Sequence, residues 1–532
     1  MKNIKKYIVT LGLLTAVVSC DNLQDLNVNP SFPVDVSAQA LMPPIQQQMA
    51  VGLQFDNRYL GRYVQYFSNA TAGNEWDRYG YVANNDQGGE IWKMAYFSLG
   101  LNITRMQEKA VAEERHDITG MAKVIRAWSW QVATDYHSEL IDFDQAFTQR
   151  MSFDYVGQEK VYAEILRLIN EGVTDLARTD GKVSASYAAV GDKMYNGDRA
   201  KWTKFAWGIV ARNLNNQINK STYNADAVIA ACDKSLASNT DNALINYNGS
   251  VSADSNFNGP GRNNISLFRQ TDFMVRVMDG TVFTGAVDPR MSRILAPSIG
   301  LSEASPASTA IPDPTKYTFV GNPLNTTASS TTSPSRIPNL WGTFSTGTVT
   351  TPGRYIFRDK ASFPIMTYAE IQFIKAEAAF KKGDKTLALA AYKKGIEASI
   401  DFVNLNTVVS TSYPITSAIT ATEKNTFLAN LNVVPAEANL TMSHIILQKY
   451  ISLFGFGNLE AWTDMRKYHY DNVNIYKTMA FPTLLFADNG GKLPYRVRPR
   501  FNSEYVWNFA SLQAIGADKV EYHTVEMWFS KP

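Results

Sequence analysis

The chain has 532 residues, with 51 Lys and Arg against 49 Asp and Glu, a formal net charge of +2. So small a charge excludes a protein that holds nucleic acid by neutralising phosphates, and 45% hydrophobic residues exclude a disordered chain. Two cysteines exclude a disulfide-stapled scaffold and a cysteine-rich zinc module, while 10 Trp, 26 Tyr and 27 Phe exceed what an ordinary core needs.

The amino terminus carries a positive run, Lys2, Lys5 and Lys6, followed by apolar Tyr7 to Val18. That order is a secretory leader, and the apolar run is too short for a spanning helix, which needs about 20 residues. It ends in Val17-Val18-Ser19-Cys20, which resembles the lipobox of bacterial lipoproteins. The resemblance implies cleavage before Cys20 and diacylglycerol on its thiol, with more than one acyl chain making the anchor stable. The expected organisation is a leader over 1–19, a lipidated tether over 20–36, and one domain over 37–532 with a loop-rich insertion at about 238–360. Loss of the three leader lysines leaves 48 basic and 49 acidic residues, so the net charge becomes −1. Cys232 then stands alone, as a small buried apolar residue.

Residues 37–68 read as helix. Residues 69–92 mix Gly, Asn and Asp with Trp76, Tyr79, Tyr81 and Trp92, and read as an aromatic-rich loop. Three antiparallel helix pairs follow. Residues 119–137 precede 157–177, where Tyr162, Ile165, Leu166, Ile169, Val173 and Leu176 recur at helical spacing. Residues 198–218 precede 224–237. In 368–399, Ala376, Ala379, Phe380, Gly383, Ala388, Tyr392 and Gly395 match the small and large pattern of a tetratricopeptide repeat, with a turn at Gly383-Asp384. A final helix is expected over 436–454, and 470–532 is irregular and rich in aromatics.

Catalytic and metal signatures are missing. Five histidines (116, 137, 444, 469, 523) have no metal-ligand spacing, and there is no nucleophile elbow or phosphate-binding loop. No enzyme, cofactor or metal is expected. Trp128, Trp130, Trp202, Phe205 and Trp207 lie on helices and read as core. The loop aromatics Trp76, Tyr79, Tyr81, Trp341 and Phe344 are the candidate ligand platforms, because flat rings on a rigid scaffold stack on sugar faces or grip a peptide.

Five blocks in order resemble the SusD/RagB family of nutrient-binding outer-membrane lipoproteins, over nearly the whole chain. They are Gly120 to Ala127; Glu159 to Leu176; Tyr195-Asn196-Gly197-Asp198 with Lys201-Trp202; Pro364 to Ala378; and Gln448-Lys449-Tyr450 with Glu460-Ala461-Trp462, Asp464 and Arg466. Pro494, Arg496, Glu504 and Asn508 fit the ending, and Asn27 to Pro30 fits the SusD-like subgroup. His137 to Ile141 departs from the family's Gly-x-x-Pro. The resemblance implies a mainly α fold: a tetratricopeptide-like superhelix of helix pairs, with long irregular loops forming a ligand face. It implies a non-catalytic protein, lipid-anchored at the outer membrane and facing outward. Its expected partners are a SusC-type TonB-dependent transporter and a glycan or peptide oligomer, with no nucleic acid. Family ligand residues vary, so none carries over. A repeat scaffold without a small ligand, and a peptide binder of RagB type, stay open beside the oligosaccharide reading.

Overall fold

The computed structural model describes residues 36–298, 317–328, 336–344, 353–411 and 415–532. The leader, Cys20 and nearly all of the tether lie outside these residues. The main helices are α1 (Met42–Tyr63), α2 (Gly100–Ala112), α3 (His116–His137), α4 (Gln158–Ala177), α5 (Arg199–Asn216), α6 (Ala225–Lys234), α7 (Tyr368–Lys382), α8 (Lys385–Asn406), α9 (Met442–Ser452) and α10 (Asn458–Lys467). From α2 to α8 each helix packs on the next, and α9 packs on α7 and α8. The fold is mainly α, a tetratricopeptide-like stack of helix pairs.

Local chemistry starts and stops these helices. Asp198, Asn224, Thr367 and Asp384 accept hydrogen bonds from the first-turn N–H groups of α5, α6, α7 and α8, which have no partner inside the helix. Gly383 takes φ +91°, the left-handed cap that ends α7. A Cβ on Gly120 would lie 2.7 Å from the carbonyl oxygen of Gly172, so this glycine sets how closely α3 and α4 approach. The helical Trp128, Trp130, Trp202 and Phe205 are buried, and Trp207 is half-buried.

Strands are few and short among the described residues. They pair antiparallel in twos: β1 (Phe67–Asn69) with β5 (Phe268–Gln270), β2 (Leu140–Ile141) with β3 (Tyr155–Val156), and β4 (Ala243–Ile245) with β6 (Phe363–Met366). Facing residues include Phe67 with Gln270 and Leu140 with Val156.

Two differences from the sequence expectations have physical causes. Helix α2 precedes the first expected pair and joins it. The expected final helix shortens to α9 and is followed by α10 and by a short helix at Phe509–Ala514. Helix α10 buries charge beside its apolar Leu459, Trp462 and Met465. Lys467 lies 2.8 Å from both Glu377 and Asp464, Lys449 lies 2.9 Å from Asp464, and Arg212 joins Glu370 at 2.7 Å and Glu460 at 2.9 Å. Burial pushes the Glu377 carboxyl up, but Lys467 and Lys449 prevail and hold it at about 2. Two of the family blocks, Pro364 to Ala378 and the one from Gln448 to Arg466, contribute residues to this centre, so they are framework.

Candidate functional site

Two five-residue π-helical turns face each other across a groove. One is Met94–Ser98, entered from the short helix Glu90–Lys93; the other is Phe501–Tyr505. An inserted π turn rotates side chains out of helical register and is common at functional sites. Here Trp92 and Tyr96 line the groove floor, while Phe97 is 65% exposed. Across the groove stands Trp507, 73% exposed, and a loop from 142 to 154 brings Met151, 87% exposed. The groove encloses about 450 Å³, within the range of ligand sites.

The floor is polar and tightly bonded. Glu504 is buried and accepts from Trp92 Nε1 at 3.0 Å, from Asn508 Nδ2 at 3.1 Å, and from the Tyr155 hydroxyl. Burial and the Glu504 carboxylate push the Tyr155 hydroxyl far up, so it stays a donor. Asn508 also holds the loop, accepting from the Phe153 N–H at 3.0 Å and donating to its carbonyl at 2.9 Å. The loop is closed at its base by the β2–β3 pair and by Asp142 N–H donating to the Asp154 carbonyl at 2.8 Å. Phe147 anchors its middle, stacked on Trp130 at 6.0 Å with the Arg126 guanidinium 4.2 Å over its ring. The hydrogen bonds at Glu504 and Asn508 hold the floor beneath the exposed rings as a platform. Such rings can take the C–H face of a sugar or an apolar side chain.

The five expected platform residues are placed differently. Trp76 is 1% exposed, packed on Tyr59 at 4.8 Å and Tyr63 at 5.2 Å, with its Nε1 donating to Gln87 at 3.0 Å. Tyr79 is fully buried and stacked on Tyr63 at 5.3 Å. Tyr81 is buried against Phe486 and His523. Trp341 is buried, its Nε1 donating to the Asn258 carbonyl at 2.8 Å, and Phe344 is half-buried under Arg336. Of the buried four, Tyr79 and Trp341 line neither the groove nor the recess beside it and pin long loops to the body. Trp76 and Tyr81 do line a narrow recess next to the groove, which shares Arg500 with it. Trp341 and Phe344 line neither. Phe97, Met151 and Trp507 escaped the sequence reading, although Trp507 lies in the irregular aromatic stretch 470–532.

Among the described residues no group of three His, Cys, Asp or Glu is placed to hold a metal. No helix of these residues is long and apolar enough to cross a membrane. Cys232 is a free, buried thiol pushed up by burial.

The fold has close relatives. A SusD/RagB family protein from Bacteroides thetaiotaomicron superposes with a TM-score of 0.69 at 19% identity, over 93% of this chain and 99% of that one. A chitin-binding protein gives the same values, 0.69 and 19%, over 93% and 99%. A SusD homologue from Bacteroides fragilis gives 0.68 at 16%, over 93% and 100%. At these identities the likeness is one of fold. No curated protein sequence matches significantly. The sequence model of a SusD-like family, described as starch-binding and associating with the outer membrane, matches residues 30–498. A match over most of the length, on a fold shared with SusD homologues from end to end, leads to one assignment: the chain belongs to the SusD-like family of starch-binding proteins associating with the outer membrane.

Proposed function

We propose that the protein is a non-catalytic surface lipoprotein that seats an oligosaccharide in the groove between Phe97 and Trp507 and hands it to a SusC-type TonB-dependent transporter. The observation that supports this most is the exposed pair of aromatic rings held on a hydrogen-bonded floor. Hexopyranose rings carry an apolar C–H face, and an exposed indole or phenyl ring is their usual counterpart. The family description names starch, and one fold relative is a chitin-binding protein, so both polymers belong in a test. Lipid on Cys20 would hold the 37–532 domain at the outer membrane, through a tether short enough to keep it close to a barrel.

Calorimetric titration of the leader-free chain with maltohexaose, chitohexaose and a set of hexapeptides tests the reading. Binding of at least one hexasaccharide, with weaker or no peptide binding, is expected. Binding of peptides alone would replace the oligosaccharide by a peptide, and binding of none would remove the ligand role.

A further inference from the structure

Beside the groove, the recess that shares Arg500 has an interior of about 60 Å³. That is room for roughly four water-sized groups and too little for a sugar ring. Three arginines reach it from one extended segment, at alternating positions 496, 498 and 500. Two of them are matched. Arg496 joins Glu139 at 2.6 Å and donates to the carbonyls of Val525 and Glu526, and Arg500 joins Asp86 at 2.5 Å.

Arg498 differs. Among the described residues it has no carboxylate within ion-pair distance; Asp488 reaches the Tyr81 hydroxyl at 3.4 Å, and Asp518 lies beside Lys519 at 3.3 Å. Its Nη2 donates to the carbonyls of Lys519 and Val520, and its guanidinium lies 4.0 Å over the Tyr81 ring. Its Nε is buried with no partner. His523, also in the recess, adds no charge, because burial and Arg498 push it down to about 3. A half-buried cation with a spare donor, in a space the size of a small anion, attracts a negative group.

We infer that this recess takes an acidic substituent, a carboxylate or a sulfate ester, of the oligosaccharide seated in the adjoining groove, with Arg498 as its counter-ion. The inference rests on the oligosaccharide reading of the groove and narrows it to glycans with acidic groups. Gln87, an exposed lining residue, stands at the mouth, and its Oε1 accepts from Trp76 Nε1.

The test titrates wild type with hexagalacturonate (carboxylate), a sulfated carrageenan hexasaccharide (sulfate) and neutral maltohexaose and chitohexaose. Two variants follow. Arg498→Gln removes the cation; Gln87→Glu keeps the acceptor for Trp76, so it should fold normally, and places a like charge at the mouth. The readout is the ratio of acidic to neutral affinity. At least one acidic hexasaccharide should be preferred by wild type, and each variant should cut that ratio about tenfold, the scale of one charged hydrogen bond. The preference should also fall in 0.5 M salt. The two acidic ligands separate carboxylate from sulfate. Neutral binding with no acidic preference, or an unchanged ratio in Gln87→Glu, would overturn the recess and leave the groove standing. No binding of any hexasaccharide would overturn both.

Discussion

Trp76 and Trp507 are the same side chain in opposite settings. Trp76 is packed between two tyrosines and bonded to Gln87, whereas Trp507 shows most of its surface to water. Trp76→Ala therefore opens a cavity and should cost about 3–5 kcal/mol of stability, read as a lower urea midpoint. Trp507→Ala should change stability by less than about 1 kcal/mol, because an exposed side chain contributes little to folding. Asp56 gives a pH prediction at the same scale. It is buried on α1, accepts from the Ile91 N–H at 2.8 Å, and so steadies the short helix that carries Trp92. Burial raises it to about 8, although the Ile91 N–H opposes the shift. In the unfolded chain the same carboxyl ionises near ~3.9. Its contribution is thus full below that value and is lost as pH rises towards 8. Asp56→Asn should flatten the fall in urea midpoint between pH 5 and 8; an equally steep fall in the variant would contradict the assignment. That aromatics are abundant was legible in the sequence. Which way each ring faces was not, because Gly, Asn and Asp around Trp76 mark a loop without saying whether the loop is packed down.

Elements were most legible where a period and a cap coincide. The stripe from Tyr162 to Leu176 gives α4, and Gly383-Asp384 ends α7 and starts α8, because left-handed backbone and an N-cap each have a narrow choice of residue. Gly120 and Gly172 show what the pattern means in packing. Gly120→Ala would bring a methyl group against the α4 backbone and should cost about 1–3 kcal/mol, seen as a lowered Tm with the fold retained. The elements that form the groove were the least legible. The π turns at Met94–Ser98 and Phe501–Tyr505 break the 3.6-residue period by construction, so Phe97 sits on no stripe. Helix α10 is hidden for a different reason, since Asp464, Arg466 and Lys467 are buried on it beside Leu459, Trp462 and Met465.

At the scale of the molecule, residues more than 200 positions apart meet in one buried charge centre, Arg212 and Glu370 beside Glu460, and Glu377 beside Lys449, Lys467 and Asp464. Glu377→Gln would leave two buried ammonium groups to share Asp464, and breaking such a set costs about 3–5 kcal/mol. Glu377 is held near 2, below the ~4.3 of an unfolded glutamate, so its contribution is present above about pH 4 and is lost as pH falls towards 2. Acid unfolding of wild type should therefore be steeper between pH 4 and 2 than that of the variant. This centre explains why family membership could be read from blocks that say little about the ligand: the five blocks encode the scaffold, and the groove is built from segments outside them, with Glu504 and Asn508 of the matched ending in its floor.

The central claim is that Phe97 and Trp507 form the ligand platform. Titration of the preferred hexasaccharide into wild type and into the Phe97→Ala, Trp507→Ala double variant, with urea unfolding of both, tests it most directly. A loss of roughly tenfold to a hundredfold in affinity, from about 1–3 kcal/mol of aromatic contact, with an unchanged urea midpoint, is the predicted result. Unchanged affinity in the folded double variant would contradict it.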